Sequence, residues 1–249
     1  MDNYFYKLIN SVINDCYLKN KPYVTNFLSL AEQEEVKNIC KQYKSLDVIF
    51  DGGFNNSEYK KAIIFPSDFT PDSGIVILKI EFNPKYLKLS HRILLGNLMH
   101  LGIKRDRVGD IVINEDSAYV AVSDTIVNFI MENLCEIFHQ PVTISVTNEK
   151  ITIPDDGIEK TIFLASNRLD ALISASYNIS REESSKLISQ EYVKLNQKIV
   201  TKAFQNLNAC DIISVAHKGR IKIDEISGLS RSGRIIIKVK IYRWKEQVK

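Results

Sequence analysis

Residues 168–196 read RLDALISASYNISREESSKLISQEYVKLN, and this stretch decides the fold of the C-terminal part of the chain. Leu169 and Ile173 are spaced four apart at helical period, which predicts a first short helix. Ser180 with Glu183 three positions later is typical of a capping box, which predicts that a second short helix begins there. The sequence therefore predicts two short helices that meet at a tight turn.

Two arginines stand at the predicted helix starts. Arg168 directly precedes the first helix and Arg181 opens the second. Backbone N–H groups and the helix dipole favour an anion at such positions, and a guanidinium adds a fork that matches phosphate. Lys186, farther along the second helix, is expected to assist. This chemistry predicts that the helix pair binds the phosphates of RNA.

The distribution of charge supports the same interpretation. The net charge of +3 hides an asymmetry: residues 166–249 carry 16 Lys or Arg and 8 Asp or Glu, a net of +8, whereas residues 1–165 carry 17 and 22, a net of −5. A basic C-terminal third on an acidic protein is an electrostatic footprint for a polyanion. The alternative is a solvated basic face with no partner, which would leave the arginines at the helix starts unexplained.

The last segment, residues 217–244, predicts a basic β-hairpin. Residues 237–241 read IKVKI, whose period of two places Lys238 and Lys240 on one face that can meet phosphates. Gly228 and Gly233 bracket the loop of this hairpin. The predicted RNA-binding residues of the whole chain are Arg168, Arg181, Lys186, Lys194, Asn196, Lys198, Lys202, Arg220, Lys222, Arg231 and Arg234.

The composition predicts a folded, cytoplasmic protein. Of its 249 residues 45% are hydrophobic, yet no apolar run approaches the roughly 20 residues of a membrane helix, and the first residues lack the basic start of a secretory signal. The four cysteines have no paired motif, which predicts reduced thiols. Cys135 and His139 could share a face of a predicted helix, although that spacing often arises by chance. We predict no metal and no cofactor.

The order of predicted elements indicates an α+β protein of three parts. An N-terminal α+β domain (1–72) is followed by a ferredoxin-like middle domain (73–148), a linker or strand (149–165) and a small α+β RNA-binding domain (166–249). The middle domain is predicted from strand 75–82, helix 90–101, strands 110–113 and 118–122, helix 124–138 and strand 142–146. RNA-recognition domains share this β-α-β-β-α-β order, but only Tyr119 offers an aromatic on the third strand, so base stacking there is weakly indicated.

The C-terminal pattern resembles the RNA-binding domain named after ribosomal small-subunit protein four. The similarity runs from about residue 166 to 215, through R-L-D at 168–170, S-R at 180–181, L-I at 187–188 and D-I-I at 211–213. Glu191 and Gln197 stand where members of that family usually carry glycine. We expect these turns to need positive φ, which a glutamate or glutamine adopts only at a cost.

A second resemblance covers nearly the full chain. Residues 89–105 read LSHRILLGNLMHLGIKR, followed by GDIV at 109–112, with GGF at 52–54 upstream. Together with the C-terminal domain they resemble the YlmH family of bacterial cell-division-locus proteins. The resemblance implies ribosome-linked RNA binding, similar to proteins that bind a large ribosomal subunit carrying a stranded peptidyl-tRNA. The implied partners are structured rRNA or tRNA and the large subunit, with cell-division proteins as further candidates.

Two other classes of function stay open at this point. RNA-binding domains of this type are often appended to RNA-modifying enzymes, but no Gly-x-Gly-x-x-Gly follows a strand, and Asp170 is better explained as part of the first RNA-binding helix. We therefore predict no catalysis. A protein-binding adaptor in cell division, docking through the acidic N-terminal and middle domains, is the runner-up.

Overall fold

The computed structural model describes residues 3–66, 72–153, 155–196 and 198–243. The chain divides into two units, Met1–Pro154 and Asp155–Lys249, and each contains helices and strands. The α+β class is confirmed. The turn predicted at Gln197 and the strand end predicted at Trp244 lie outside the described residues. None of the helices in the described ranges is both long and apolar enough to cross a membrane.

The first unit opens with a three-stranded antiparallel sheet and two helices packed on it. The elements are α1 (Asn3–Lys19), β1 (Tyr23–Leu28), α2 (Leu30–Cys40), β2 (Leu46–Asp51) and β3 (Lys60–Pro66), and the strand order is β1-β3-β2. Helix α2 begins with a capping interaction, because the Glu32 carboxylate accepts the Ser29 N–H at 2.7 Å. Ile13 and Val36 of the helices are fully buried against Ile64 of β3.

Two buried cysteines belong to this core. Cys16 and Cys40 lie in the cluster with Ile13 and Val36, whereas Cys135 and Cys210 are exposed, and all four thiols are free. Burial, with a smaller contribution from Cys16, raises the pKa of the Cys40 thiol to about 11. The Cys40 thiol is therefore protonated and unreactive at neutral pH.

The rest of the first unit has the predicted ferredoxin-like topology. Its elements are β4 (Ile75–Glu81), α3 (His91–His100), β5 (Val108–Ile113), β6 (Ser117–Ser123), α4 (Val127–Asn133), β7 (Glu136–Ile137), β8 (Gln140–Pro141) and β9 (Thr143–Thr147). The four long strands form an antiparallel sheet in the order β5-β6-β4-β9. Helices α3 and α4 cover one face, where Leu94, Leu98 and Ile130 are fully buried.

The second predicted helix of this domain is much shorter than expected. It was predicted to reach residue 138, but α4 ends at Asn133 and the chain turns into the β7–β8 hairpin. Phe138 and His139 adopt positive φ in that turn. Cys135 and His139 are therefore not on one helix, and no group of three or more metal-binding side chains occurs among the residues that the structure describes.

The other face of the ferredoxin-like sheet is covered from within the same unit. Phe27 of β1 and Phe54 pack on Tyr119 and Ala121 of β6. Tyr119 is only 6% exposed, and its hydroxyl donates to Glu149 at 2.9 Å. This face is the one on which RNA-recognition domains stack bases. In this chain the centre of that face, at Tyr119 and Ala121, is buried, so these positions are not available for base stacking.

The second unit is a six-stranded antiparallel sheet with two helices on one face. Its elements are β10 (Ile158–Leu164), α5 (Leu169–Tyr177), α6 (Arg181–Ser189), β11 (Val193–Leu195), β12 (Lys198–Ile199), β13 (Ile212–Val215), β14 (Gly219–Leu229) and β15 (Ile235–Arg243). The strand order is β10-β15-β14-β13-β11-β12. Leu169, Leu172, Ile173 and Ile188 of the helices pack on the apolar face of the sheet. Strand β10 lies in the segment expected to be a linker or strand, and it pairs with β15 along its whole length.

Candidate nucleic-acid interface

One buried carboxylate holds the two predicted phosphate-binding arginines together. Asp170 is 3% exposed in the first turn of α5. Arg168 donates to it through Nε at 3.0 Å and Nη2 at 2.9 Å, and Arg181 donates through Nη2 at 3.3 Å. We call Arg168 and Arg181 the arginine pair. The sequence predicted both arginines but not the carboxylate that joins them.

Both guanidinium groups of the arginine pair are partly exposed to solvent, and the Asp170 carboxylate that joins them stays charged. The side chains of Arg168 and Arg181 are 40% and 55% exposed, against 4% for the Asp170 side chain. Burial alone would raise the pKa of Asp170, but hydrogen bonds and charge from both arginines outweigh it and hold that pKa below its ordinary value. The cluster therefore carries two positive charges and one negative, with the negative charge underneath.

Backbone N–H groups at the start of α5 do not provide the phosphate site that the sequence predicted. The Leu169 and Asp170 N–H groups donate to the carbonyls of Gln205 and Ala203, both at 3.1 Å, and the Ala171 N–H donates to the Asp170 carboxylate. The loop after β12 therefore closes the helix start. Phosphate binding at this point has to rely on side chains.

The same loop carries another predicted residue toward the arginine pair. Lys202 is exposed and directly precedes Ala203, whose carbonyl accepts the Asp170 N–H. Lys186 is also exposed, but five residues after Arg181 it lies about 140° around the axis of α6. This backbone contact places Lys202 next to the residue that closes the start of α5, whereas Lys186 lies on a different side of α6 from Arg181.

The predicted capping box at α6 forms only in part. Ser180 Oγ accepts the Glu183 N–H at 3.0 Å, as expected. The Glu183 carboxylate instead pairs with Lys218 at 3.3 Å. This ion pair ties the β13–β14 turn to the first turn of α6, next to Arg181.

Asn196, predicted to border the RNA groove, is occupied inside the unit. It adopts φ 48°, its side-chain amide donates to Asp211 at 2.8 Å, and its side-chain oxygen accepts the Ile212 N–H at 2.9 Å. We assign it the structural role of fixing the turn after β11 against β13. Glu191 also has positive φ, at 64°, as its place in the family pattern led us to expect.

Lysines on the outer face of the hairpin, expected to meet phosphates, are paired with acids. Ile237, Val239 and Ile241 face the core, so the predicted alternation is confirmed. However, Lys238 pairs with Glu225 at 2.7 Å, and Lys240 pairs with Asp155 at 2.6 Å. Asp155 lies outside the segment assigned to this domain from the sequence, which is why the pairing was missed.

The other predicted cations lie in three further places. Lys194 and Arg220 line a cleft on the sheet face opposite the helices. Lys222 Nζ lies 3.9 Å from Asp224 Oδ1. Lys198 is exposed on the edge strand β12. Arg231 and Arg234 are exposed in the turn that joins β14 to β15. With β10 included, residues 155–249 carry 17 Lys or Arg and 11 Asp or Glu, a net of +6.

Comparisons with known proteins agree with this architecture. The model of the RNA-binding domain in YlmH matches residues 68–151, and the S4 domain matches residues 167–213. The chain is 28% identical over 216 residues to ribosome-associated protein quality control protein P2 of Bacillus subtilis (strain 168), covering 85% of this chain and 84% of that protein. The solved structure of cell division protein ylmH from Streptococcus pneumoniae is 22% identical with a TM-score of 0.53, covering 59% of this chain and 90% of that chain.

The fold and the site together define an RNA-binding protein with a C-terminal S4 domain. The helix pair with both arginines, strands β11 and β12 and the start of β13 lie within the S4 match, whereas β10, β14 and β15 lie outside it. The ferredoxin-like domain lies within the other match. The chain is similar to YlmH proteins, which is the resemblance that its sequence pattern predicted.

Proposed function

We propose that this chain is a non-catalytic RNA-binding protein of ribosome-associated quality control. In this proposal the arginine pair grips backbone phosphates of structured RNA on the large ribosomal subunit, in rRNA or in a tRNA bound there. The observation that carries the proposal is the pairing of Arg168 and Arg181 on one buried carboxylate. The role is a cytoplasmic one, because ribosomes are there.

The geometry favours phosphates over base edges as the ligand. Asp170 uses Nε and Nη2 of Arg168 but only Nη2 of Arg181, so the remaining guanidinium N–H groups point away from the carboxylate. Two guanidinium groups held at a fixed spacing lose little conformational entropy when they bind successive phosphates. Contacts of this kind position a protein on RNA without reading its sequence.

The relatives support the ribosomal setting. The Bacillus subtilis relative is named for ribosome-associated quality control, and its similarity covers most of both chains. Both family matches are RNA-binding domains, which supports a binding role in place of catalysis. Asp170 fits that role, since its carboxylate is buried and engaged by both arginines.

Co-sedimentation with separated ribosomal subunits tests the proposal. Wild-type protein should pellet with large subunits, more strongly when they carry peptidyl-tRNA, and not with small subunits. Arg181→Gln should weaken this association on the order of tenfold, because one phosphate contact to a charged group is lost. Lys41→Gln, an exposed lysine at the end of α2, is the matched control and should leave binding unchanged.

Two other outcomes of the co-sedimentation experiment would count against the proposal. Binding that ignores Arg181 but is insensitive to salt would move the interaction to the first unit, as a protein-binding adaptor would require. Absence of any ribosome association for a folded wild-type chain would overturn the proposal.

A further inference from the structure

The sheet face opposite α5 and α6 carries a cleft that the proposed function does not use. It lies where β11 and β14 begin and where β13 and β15 end, and its volume is about 470 Å³. Clefts of this size hold small organic ligands in many proteins. The turn with Arg231 and Arg234 lies at the opposite end of the β14–β15 hairpin, so the cleft is separate from it.

Two tyrosines line this cleft, and they differ in exposure and in their contacts. Tyr242 is half-buried, its hydroxyl donates to Asp155 at 3.0 Å, and the Arg220 guanidinium carbon lies 5.6 Å from its ring centroid. Burial, together with the hydrogen bond to Asp155, raises the pKa of Tyr242 to about 12, so this hydroxyl stays a donor at neutral pH. Tyr192 is 48% exposed. The Tyr242 ring thus forms one wall of the cleft, and the exposed Tyr192 ring forms its rim.

Basic side chains line the cleft beside the two rings, and the Asp155 carboxylate lies at the Tyr242 hydroxyl. Strand register places Lys194, Ser214, Arg220 and Tyr242 in one row across β11, β13, β14 and β15. Direct cross-strand neighbours project from the same face of a sheet. Arg243 also lines the cleft, and Glu191 is the one acidic residue among its lining residues in the part of the chain that the structure describes.

We propose that this cleft binds a single unpaired nucleotide of RNA. The base packs against the tyrosine rings, and its phosphate meets Lys194 and Arg243. Stacking on aromatic side chains combined with basic residues along the backbone is the general chemistry of single-strand recognition. A paired base has its faces covered by its neighbours, so the cleft selects unpaired nucleotides. This contact is additional to the phosphate grip of the arginine pair and does not rest on it.

NMR titration of the full-length, isotope-labelled chain tests the proposal directly. The probes are UMP, AMP and inorganic phosphate, each added to millimolar concentration. Both nucleotides should produce saturable shifts at the backbone amides of Ala216, His217 and Gly219, which line the cleft. Inorganic phosphate alone should bind at least about tenfold more weakly, because it lacks the stacking contribution.

Substitutions at the rim separate stacking from charge. Tyr192→Leu should weaken nucleotide binding on the order of tenfold, whereas Tyr192→Phe should bind like the wild type. The fold should tolerate both, since the Tyr192 ring is exposed and its backbone carbonyl, not its ring, accepts the Ala216 N–H at 2.9 Å. Lys41→Gln, in the first unit, should bind nucleotides normally.

Three results would overturn the proposal: no saturable shift at the cleft with either nucleotide, equal affinity for inorganic phosphate, or no effect of Tyr192→Leu. Failure here is distinguishable from failure of the proposed function. Loss of the cleft contact with intact ribosome binding removes only this inference, whereas nucleotide binding without ribosome association removes only the proposed function.

Discussion

Asp170 makes two surface arginines act as one binding element. An isolated arginine on a helix loses side-chain entropy when it binds a phosphate. Here Arg168 and Arg181 are already held by the same carboxylate, which is 3% exposed. The Asp170 carboxylate also lowers the positive potential of the arginine pair. It therefore orients the two guanidinium groups but weakens their attraction for a phosphate.

Replacing that carboxylate should destabilise the second unit in a pH-dependent way. Asp170→Asn removes the charge that both arginines share, which should lower the free energy of unfolding by about 1–2 kcal/mol at pH 7. The arginines hold the pKa of Asp170 below its ordinary value, so the stabilisation is complete above about pH 4 and is lost as the pH falls through the folded-state pKa. Denaturant unfolding between pH 7 and pH 2.5 measures the difference between wild type and variant. A difference that stays constant over this range would contradict the assignment.

A second prediction at the residue scale concerns positive φ. Glu191→Gly should stabilise the unit by about 0.5–1 kcal/mol, because relief of the left-handed conformation exceeds the entropy cost of glycine. Asn196→Gly is the matched comparison, since Asn196 also has positive φ but engages Asp211 and Ile212 through its side chain. Asn196→Gly should lower the free energy of unfolding by about 1–2 kcal/mol. Thermal unfolding of both variants provides the check, and stabilisation by Asn196→Gly would be the contrary result.

At the scale of elements, periodicity predicted most helices and strands, and it failed where burial does not follow hydrophobicity. Strand β1 was missed because one of its buried positions is Thr25, whose hydroxyl accepts the Ala62 N–H at 2.8 Å, and because its register shifts before Phe27. The predicted length of helix α4 is too great because the apolar pattern continues into the β7–β8 hairpin. The cover over the ferredoxin-like sheet depends on contacts distant in sequence, which a local pattern does not contain.

Close packing of that cover gives a prediction of its own. A Cβ at Gly109 would lie 2.6 Å from Phe27 Cε1, so Gly109→Ala should destabilise the first unit by about 1–3 kcal/mol. Gly96, exposed in the middle of α3, has no atom within 4 Å of an added Cβ. Gly96→Ala should therefore stabilise by up to about 1 kcal/mol. Denaturant titrations compare the two, and equal effects would show that Phe27 does not pack on β5.

For the whole molecule, the sequence predicted the arginines of the candidate site better than their surroundings. Arg168 and Arg181 belong to a short local pattern, so the sequence could place them at the two helix starts, where the structure has them. The partner of Lys240, and the cleft lined by Tyr192 and Tyr242, arise from strand pairing across the six-stranded sheet. Charge counting likewise overstated the free positive surface, because β10 and the residues before it supply acids to the same unit.

The most direct test of the central claim is the salt dependence of binding to a structured RNA hairpin. For the wild type, the logarithm of the association constant should fall linearly with the logarithm of salt concentration. Arg181→Gln should reduce the magnitude of that slope by about 0.7–1 and weaken different hairpins to a similar extent. Lys41→Gln should leave the slope unchanged. An unchanged slope for Arg181→Gln, or a loss confined to one RNA sequence, would contradict phosphate binding by the arginine pair.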